Sequence, residues 1–83
     1  MEQTPPPITV YTSGPQCVDC TTIKRWLDQH GYSFTERNVV DDPAALAELT
    51  ALGFRGAPVT VIGTTVIDGL ELKQIQAALN HQP

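Results

Sequence analysis

"YTSGPQCVDC" (residues 11–20) closes a run of β-formers, breaks it with Ser13-Gly14-Pro15, and sets Cys17 and Cys20 three positions apart. They are the only two cysteines in the chain. The pair can staple the chain, hold a metal or do chemistry, and what flanks it decides among the three.

Upstream, "ITVYT" (8–12) reads as a strand, with Ile8 and Val10 on one face and Thr9 and Tyr11 on the other. Downstream of Val18 the apolar period changes: Ile23, Trp26, Leu27 and His30 fall at helical spacing, and Gly31 suits the position just past a helix end. Trp26 reads as a core residue of that helix. "YSFTERNVV" (32–40) is a second, less regular strand. Asp41 or Asp42 can cap a second helix with Pro43 in its first turn and Leu46, Leu49 and Leu52 as its apolar stripe before Gly53. After Ala57-Pro58 come "VTVIG" (59–63) and "TTVID" (64–68), joined at Gly63-Thr64 where a two-residue hairpin with glycine first fits. "LELKQIQAALNHQ" (70–82) carries Leu72, Ile75 and Leu79 on one stripe of a last helix.

The order is β-α-β-α-β-β-α. A right-handed crossover makes the first two strands parallel, and "VTVI" is apolar enough to be central. The expectation is an α/β fold, a four-stranded mixed sheet with helices on both faces.

Composition sets the outer limits. Eighty-three residues suffice for one domain, read as residues 8–83 behind a proline-rich tail (1–7) that ends in Pro5-Pro6-Pro7. Hydrophobic residues at 41% and charged residues at 17% describe an ordinary globule. No apolar run approaches the ~20 residues that span a bilayer, and the start lacks the pattern of a signal peptide. A cytoplasmic protein with no membrane partner is expected. The formal charge of -4, with five scattered Lys and Arg, excludes nucleic acid as a partner.

As a staple the cysteine pair is poor. Closing so short a loop restrains the unfolded chain by roughly 2 kcal/mol, against nearly 5 for about a hundred residues. As a zinc site it is half of one, since the only candidates for the other half are His30 and His81. His30 is more simply an end-of-helix residue near the last carbonyls, and His81 a tail residue.

The chemical reading is strongest because of location. Cys17 falls between a strand and a helix, where free N–H groups and the dipole stabilise a thiolate. Lowering a thiol pKa by one to two units requires roughly 1.4 to 2.7 kcal/mol, much of which a helix terminus supplies. Cys17 is assigned as nucleophile and Cys20, one turn inward and more buried, as resolving thiol. Asp19 between them opposes the thiolate, and no Lys or Arg follows before Lys24. A less stabilised thiolate makes the dithiol a better reductant.

With "YTSGPQCVDC", "GFRGAPVTVIG" (53–63) and "DGLELKQI" (68–75) in place, the chain resembles the thioredoxin superfamily, at glutaredoxin size, over Ile8 to Leu79. The resemblance implies the thioredoxin fold and a cis Ala57–Pro58 peptide facing the cysteines, with Ala57 pairing its backbone to an incoming disulfide. It implies a substrate-binding set of Pro15, Gln16, Val18, Arg55, Ala57, Pro58, Asp68 and Gly69, and no metal. The surface near Cys17 should be apolar, built from Pro15, Val18, Ala57, Pro58 and Leu70.

Glutaredoxins typically carry proline and an aromatic between the cysteines, a lysine shortly before them and a late Gly-Gly-x-Asp turn, all serving glutathione. Val18-Asp19 and a lone Gly69 before Leu70 stand here instead, while Arg55 occupies a place where a glutathione carboxylate could be held. "GFRGAPV" is more similar to the NrdH-type redoxins, which accept electrons from thioredoxin reductase and feed ribonucleotide reductase. Their late W-S-G-F-R-P segment is replaced by "VIDGLEL" (66–72).

The resemblance thus implies a monomeric dithiol oxidoreductase with no bound cofactor. Its electrons come from NADPH through thioredoxin reductase, or from glutathione, and its partners are disulfide-bearing proteins, ribonucleotide reductase among them. The rival is a binding protein, two chains bridging an iron–sulfur cluster through Cys17 with glutathione as co-ligand.

Overall fold

A computed structural model describes residues 7–80. Residues 1–6, which hold most of the expected tail, and His81 lie outside the described residues. The strands are β1 (Ile8–Thr12), β2 (Thr35–Asn38), β3 (Val59–Ile62) and β4 (Thr65–Asp68), and the helices α1 (Val18–Gln29), α2 (Pro43–Ala51) and α3 (Leu72–Asn80). They follow one another in the expected order.

The sheet runs β2-β1-β3-β4, with β1 parallel to β2 and antiparallel to β3, and β3 antiparallel to β4. β3, the "VTVI" strand, is central. Its partner β4 follows through Gly63-Thr64, where Gly63 has φ +60° and Ile62 pairs with Thr65. Positive φ at glycine alone is the signature of the expected hairpin turn.

Both faces are covered. On one, Ile23 and Leu27 of α1 and Ile75, Ala78 and Leu79 of α3 pack with Ile8, Val10, Ile62 and Ile67 of the sheet. On the other, Leu49 of α2 packs with Tyr11 and Val59, and with half-buried Val39, Phe54 and Val61. Trp26 is half-buried against the first cluster, as a helix residue at that period should be.

The helix ends obey simple rules. Past α1, Tyr32 N–H donates to Leu27 O (2.9 Å) and Gly31 N–H to Asp28 O (3.1 Å), with Gly31 at φ +78°. This is a Schellman ending, which glycine adopts without a β-carbon penalty. Asp42 caps α2, its side chain accepting from Ala44 N–H at 2.9 Å, with Pro43 as the first helical residue.

Two expectations need correction. The second strand spans only Thr35–Asn38, not 32–40. Tyr32 is spent on the α1 ending, and Asn38 turns the chain by accepting the N–H groups of Val40 (2.9 Å) and Asp41 (3.3 Å) on its side chain. The inward face of α2 is Ala45 and Leu49, both fully buried, whereas Leu46 and Leu52 are 44% and 40% exposed. At 100° per residue those two leucines diverge roughly 60° to either side of Leu49, so a nine-residue helix on a narrow sheet buries only the middle one.

Candidate active site

Cys17 is the N-cap of α1, with extended backbone at φ -80° and ψ 98°. Its N–H donates to Gly14 O (3.1 Å), and its carbonyl accepts from Thr21 N–H (3.1 Å) and Thr21 Oγ1–H (3.2 Å). Gly14 sits at φ +103°, where a β-carbon is strained, and an added one would lie 2.9 Å from Gln16 Oε1. The Ser13–Gln16 turn thus depends on glycine to bring the chain from β1 to the helix start.

Cys17 Sγ accepts the N–H of Cys20 at 3.2 Å, the bond an N-cap side chain makes. The two sulfurs are joined as a disulfide, with Cα atoms 5.3 Å apart, within the ordinary range. Cys17 is half-buried and Cys20 only 1% exposed, so Cys17 is the sulfur open to a partner.

β-Sheet register brings Ala57, Pro58, Asp68 and Gly69 to this end of the molecule. Tyr11 pairs with Val59 and Val59 with Asp68, which sets the Ala57–Pro58 peptide beside the end of β1 and Asp68-Gly69 beyond it. That peptide is cis, as the resemblance implied. Gly69 N–H donates to Pro58 O at 3.0 Å and ties the end of β4 to the cis peptide. Pro15, Gln16, Val18, Arg55 and Asp68 are exposed, and Ala57 and Gly69 are half-buried.

Of the residues expected in an apolar surface near Cys17, Val18 is 74% and Leu70 39% exposed. Pro58 is buried and adds no exposed surface. Arg55 makes no side-chain hydrogen bond or ion pair among the described residues.

Two polar networks escaped the sequence reading. Thr12, fully buried at the end of β1, donates its hydroxyl to Glu36 Oε2 (2.8 Å), and Lys24 of α1 bonds both Glu36 oxygens (3.1 Å each). The Thr12 hydroxyl, with Lys24 helping, holds the Glu36 carboxyl below its ordinary pKa, against the pull of partial burial. The first signal was available, since Thr12 continues the inward period of Ile8 and Val10; the partner was not. Lys24 is thereby committed to Glu36. A shallow cleft of about 420 Å³ lies beside this network, lined by Thr21, Lys24, Arg25, Asp28, Phe34 and Glu36, off the cysteines.

On the opposite face Arg37 bonds Glu48 (2.6 Å) and Asp42 (3.2 Å), and Tyr11 donates to Glu48 at 3.1 Å. Burial first, then Glu48, raises the Tyr11 pKa. This group clamps α2 to the sheet and takes no part near sulfur.

Among the described residues no three His, Cys, Asp or Glu side chains gather as a metal site requires. His30 stacks on Trp26 with ring centroids 4.1 Å apart, its Nδ1 2.8 Å from the Trp26 carbonyl oxygen. Among the described residues no helix is long and apolar enough to cross a membrane.

The comparisons agree with this geometry. Residues 8–67 match the family model described as Glutaredoxin. A glutaredoxin-like protein NrdH of Lactococcus lactis subsp. cremoris is 36% identical over 52 residues, 63% of this chain and 71% of that protein. The NrdH-redoxin of Escherichia coli superposes with a TM-score of 0.77 at 34% identity, over 92% of this chain and 95% of its own. The thioredoxin-like protein BC3987 gives 0.81 at 30% identity, over 87% and 99% respectively.

Proposed function

The chain belongs to the glutaredoxin family and is a thiol–disulfide oxidoreductase, and from that premise we propose an NrdH-like redoxin that reduces protein disulfides. Cys17 is the nucleophile. Its thiolate attacks one sulfur of the substrate disulfide, forming a mixed disulfide and releasing the other substrate sulfur as thiolate. Cys20 then loses its proton and attacks Cys17 Sγ, releasing the reduced substrate and leaving the Cys17–Cys20 disulfide. Two electrons from a reductant, with two protons, restore the dithiol.

One observation carries the assignment: Cys17 caps α1 with the Cys20 N–H directed at its sulfur, while Cys20 is 1% exposed. The same N–H and the helix terminus favour a thiolate at position 17. The buried thiol can only turn inward on its neighbour.

The surface around that sulfur favours a protein disulfide over a charged tripeptide. Pro15, Val18 and Leu70 are exposed and Ala57 is half-buried, and these are the apolar groups from which we build a rim around Cys17. Electrons are therefore assigned to NADPH through thioredoxin reductase. Arg55 and Asp68, both exposed, are the groups a glutathione carboxylate or amine would use. The protein acts as a monomer in the cytoplasm, where such a reductase operates.

NADPH consumption with a model disulfide tests this, comparing thioredoxin reductase with glutathione plus glutathione reductase. Turnover only with thioredoxin reductase is expected. Efficient turnover only with glutathione, abolished in Arg55→Ala, overturns the choice of electron source. A brown, absorbing dimer from oxygen-free purification overturns the oxidoreductase reading in favour of cluster binding.

A further inference from the structure

Thr60 lies in central strand β3, fully buried, and its hydroxyl is the one buried side-chain oxygen or nitrogen among the described residues without a hydrogen bond. Valine has the same shape and would carry no such penalty. Thr60 pairs with Val10 across β1 and with Ile67 across β4. Strand alternation therefore turns it to the face of Val10, Ile62 and Ile67, which α1 and α3 cover, and away from Val59.

Cys20 enters that same face. It is on the buried side of α1 with Ile23 and Leu27. Since α1 follows β1 through the short 13–17 loop and runs back over it, its first turn lies over the Thr12 end of the sheet. Thr60 follows the Pro58 end of β3, which the register sets beside that same end of β1, so Cys20 from the helix and Thr60 from the sheet enter the core at one end of the molecule. Thr12 has given its hydroxyl hydrogen to Glu36, so Thr60 is the hydroxyl there whose donor and acceptor sites are both unmet.

Reduction changes what this pocket needs. In the disulfide Cys20 Sγ carries no hydrogen. When the S–S bond takes up two electrons and two protons, Cys20 gains an S–H at a position 1% exposed, out of reach of bulk water. We propose that the Thr60 hydroxyl is the partner of the reduced Cys20 thiol, a positioning residue unpaired in the disulfide and paired in the dithiol. It selectively stabilises the dithiol, and so makes the disulfide easier to reduce than the cysteine loop alone would. The inference rests on Cys17 and Cys20 being the redox couple proposed above.

Thr60→Val and Thr60→Ser test it in the full chain, equilibrated in mixtures of reduced and oxidised dithiothreitol. There the small dithiol gives two electrons and two protons and closes its own S–S bond. Thr60→Val should move the equilibrium about five-fold towards the Cys17–Cys20 disulfide, lowering the potential by about 20 mV. Thr60→Ser, which keeps the hydroxyl, should stay within about two-fold of the parent. Urea unfolding gives the second readout: the valine variant gains stability when oxidised, through loss of the orphan hydroxyl, and does not when reduced.

An unchanged midpoint, or an equal gain in both redox forms, overturns the role of Thr60, because the hydroxyl then has the same surroundings in each. A parent protein that forms no reversible Cys17–Cys20 disulfide overturns the redox couple itself, and with it this proposal.

Discussion

The Thr12–Glu36–Lys24 network gives the most direct physical test of the architecture, and Thr12→Val is the perturbation. Valine fills the same volume, so no cavity opens; what disappears is one hydroxyl bond of 2.8 Å to a carboxylate. A bond to a charged group is worth about 1.5–3 kcal/mol when sheltered. The Glu36 side chain is 39% exposed and can rehydrate, so the loss is about 1 kcal/mol at pH 7. With a urea slope of about 1–3 kcal/mol per molar, the midpoint should fall by between about a third of a molar and one molar. The pH dependence distinguishes this cause from loss of packing. Glu36 has its folded pKa depressed below the usual 4.5, first by Thr12 and then by Lys24. Its contribution is therefore fully present above 4.5 and is lost as pH falls through the folded value. Urea midpoints of the two proteins measured from pH 7 down to about pH 3 should converge on the acid side. A gap that stays constant over that range, or a variant as stable as the parent at pH 7, refutes the reasoning.

The remaining expectations each address one element. Cys17→Ser should abolish turnover of every disulfide substrate while Cys20→Ser accumulates mixed disulfides on a non-reducing gel; full activity without Cys17 reverses the assignment. Asp19→Asn should raise the reduction potential by about 10–20 mV, the scale of one exposed charge near the thiolate, and a lower value in a dithiothreitol titration counts against that electrostatic role. Gly14→Ala should cost about 1–2 kcal/mol by forcing a β-carbon to φ +103°, read as a drop of at least several degrees in thermal midpoint; an unchanged midpoint means the turn relaxes. Leu49→Ala should cost about 2–5 kcal/mol and Leu46→Ala under about 1, and equal losses in urea unfolding would mean the inward face of α2 has been misplaced.

Much of the fold was legible because each of its devices is local. Gly31 and Gly63 mark chain reversals by a positive φ that glycine adopts without a β-carbon penalty, and Pro43 marks a helix start. What was not legible depends on neighbours distant in sequence. Nothing within 32–40 says that the strand stops at Asn38, because its end follows from a side chain turning back on Val40 and Asp41. Nothing within α2 says which leucine faces inward, because all three keep a helical period and the sheet decides. The cis state of Ala57–Pro58 came from family resemblance alone; no local chemistry of an Ala-Pro pair favours it so strongly.

The site divides along the same line. Cys17 and Cys20 were readable, because a strand, a turn and a helix start in sequence suffice to put a thiol at a helix N-terminus. The groups beneath them were not. Thr12 and Thr60 look like ordinary strand residues, and both are fully buried. One is tied to a charge on β2 and the other lies on the face that α1 and α3 cover. On the proposed mechanism the couple is sealed on its inner side and exchanges electrons through its outer sulfur only, so the substrate comes to Cys17 and the surrounding rim selects it. The buried side cannot select substrates. It can only shift the balance between disulfide and dithiol, through polar groups whose partners change when the S–S bond breaks. The two proposals together therefore place specificity and potential at different residues: Val18, Leu70 and Arg55 for the first, and Thr60 for the second.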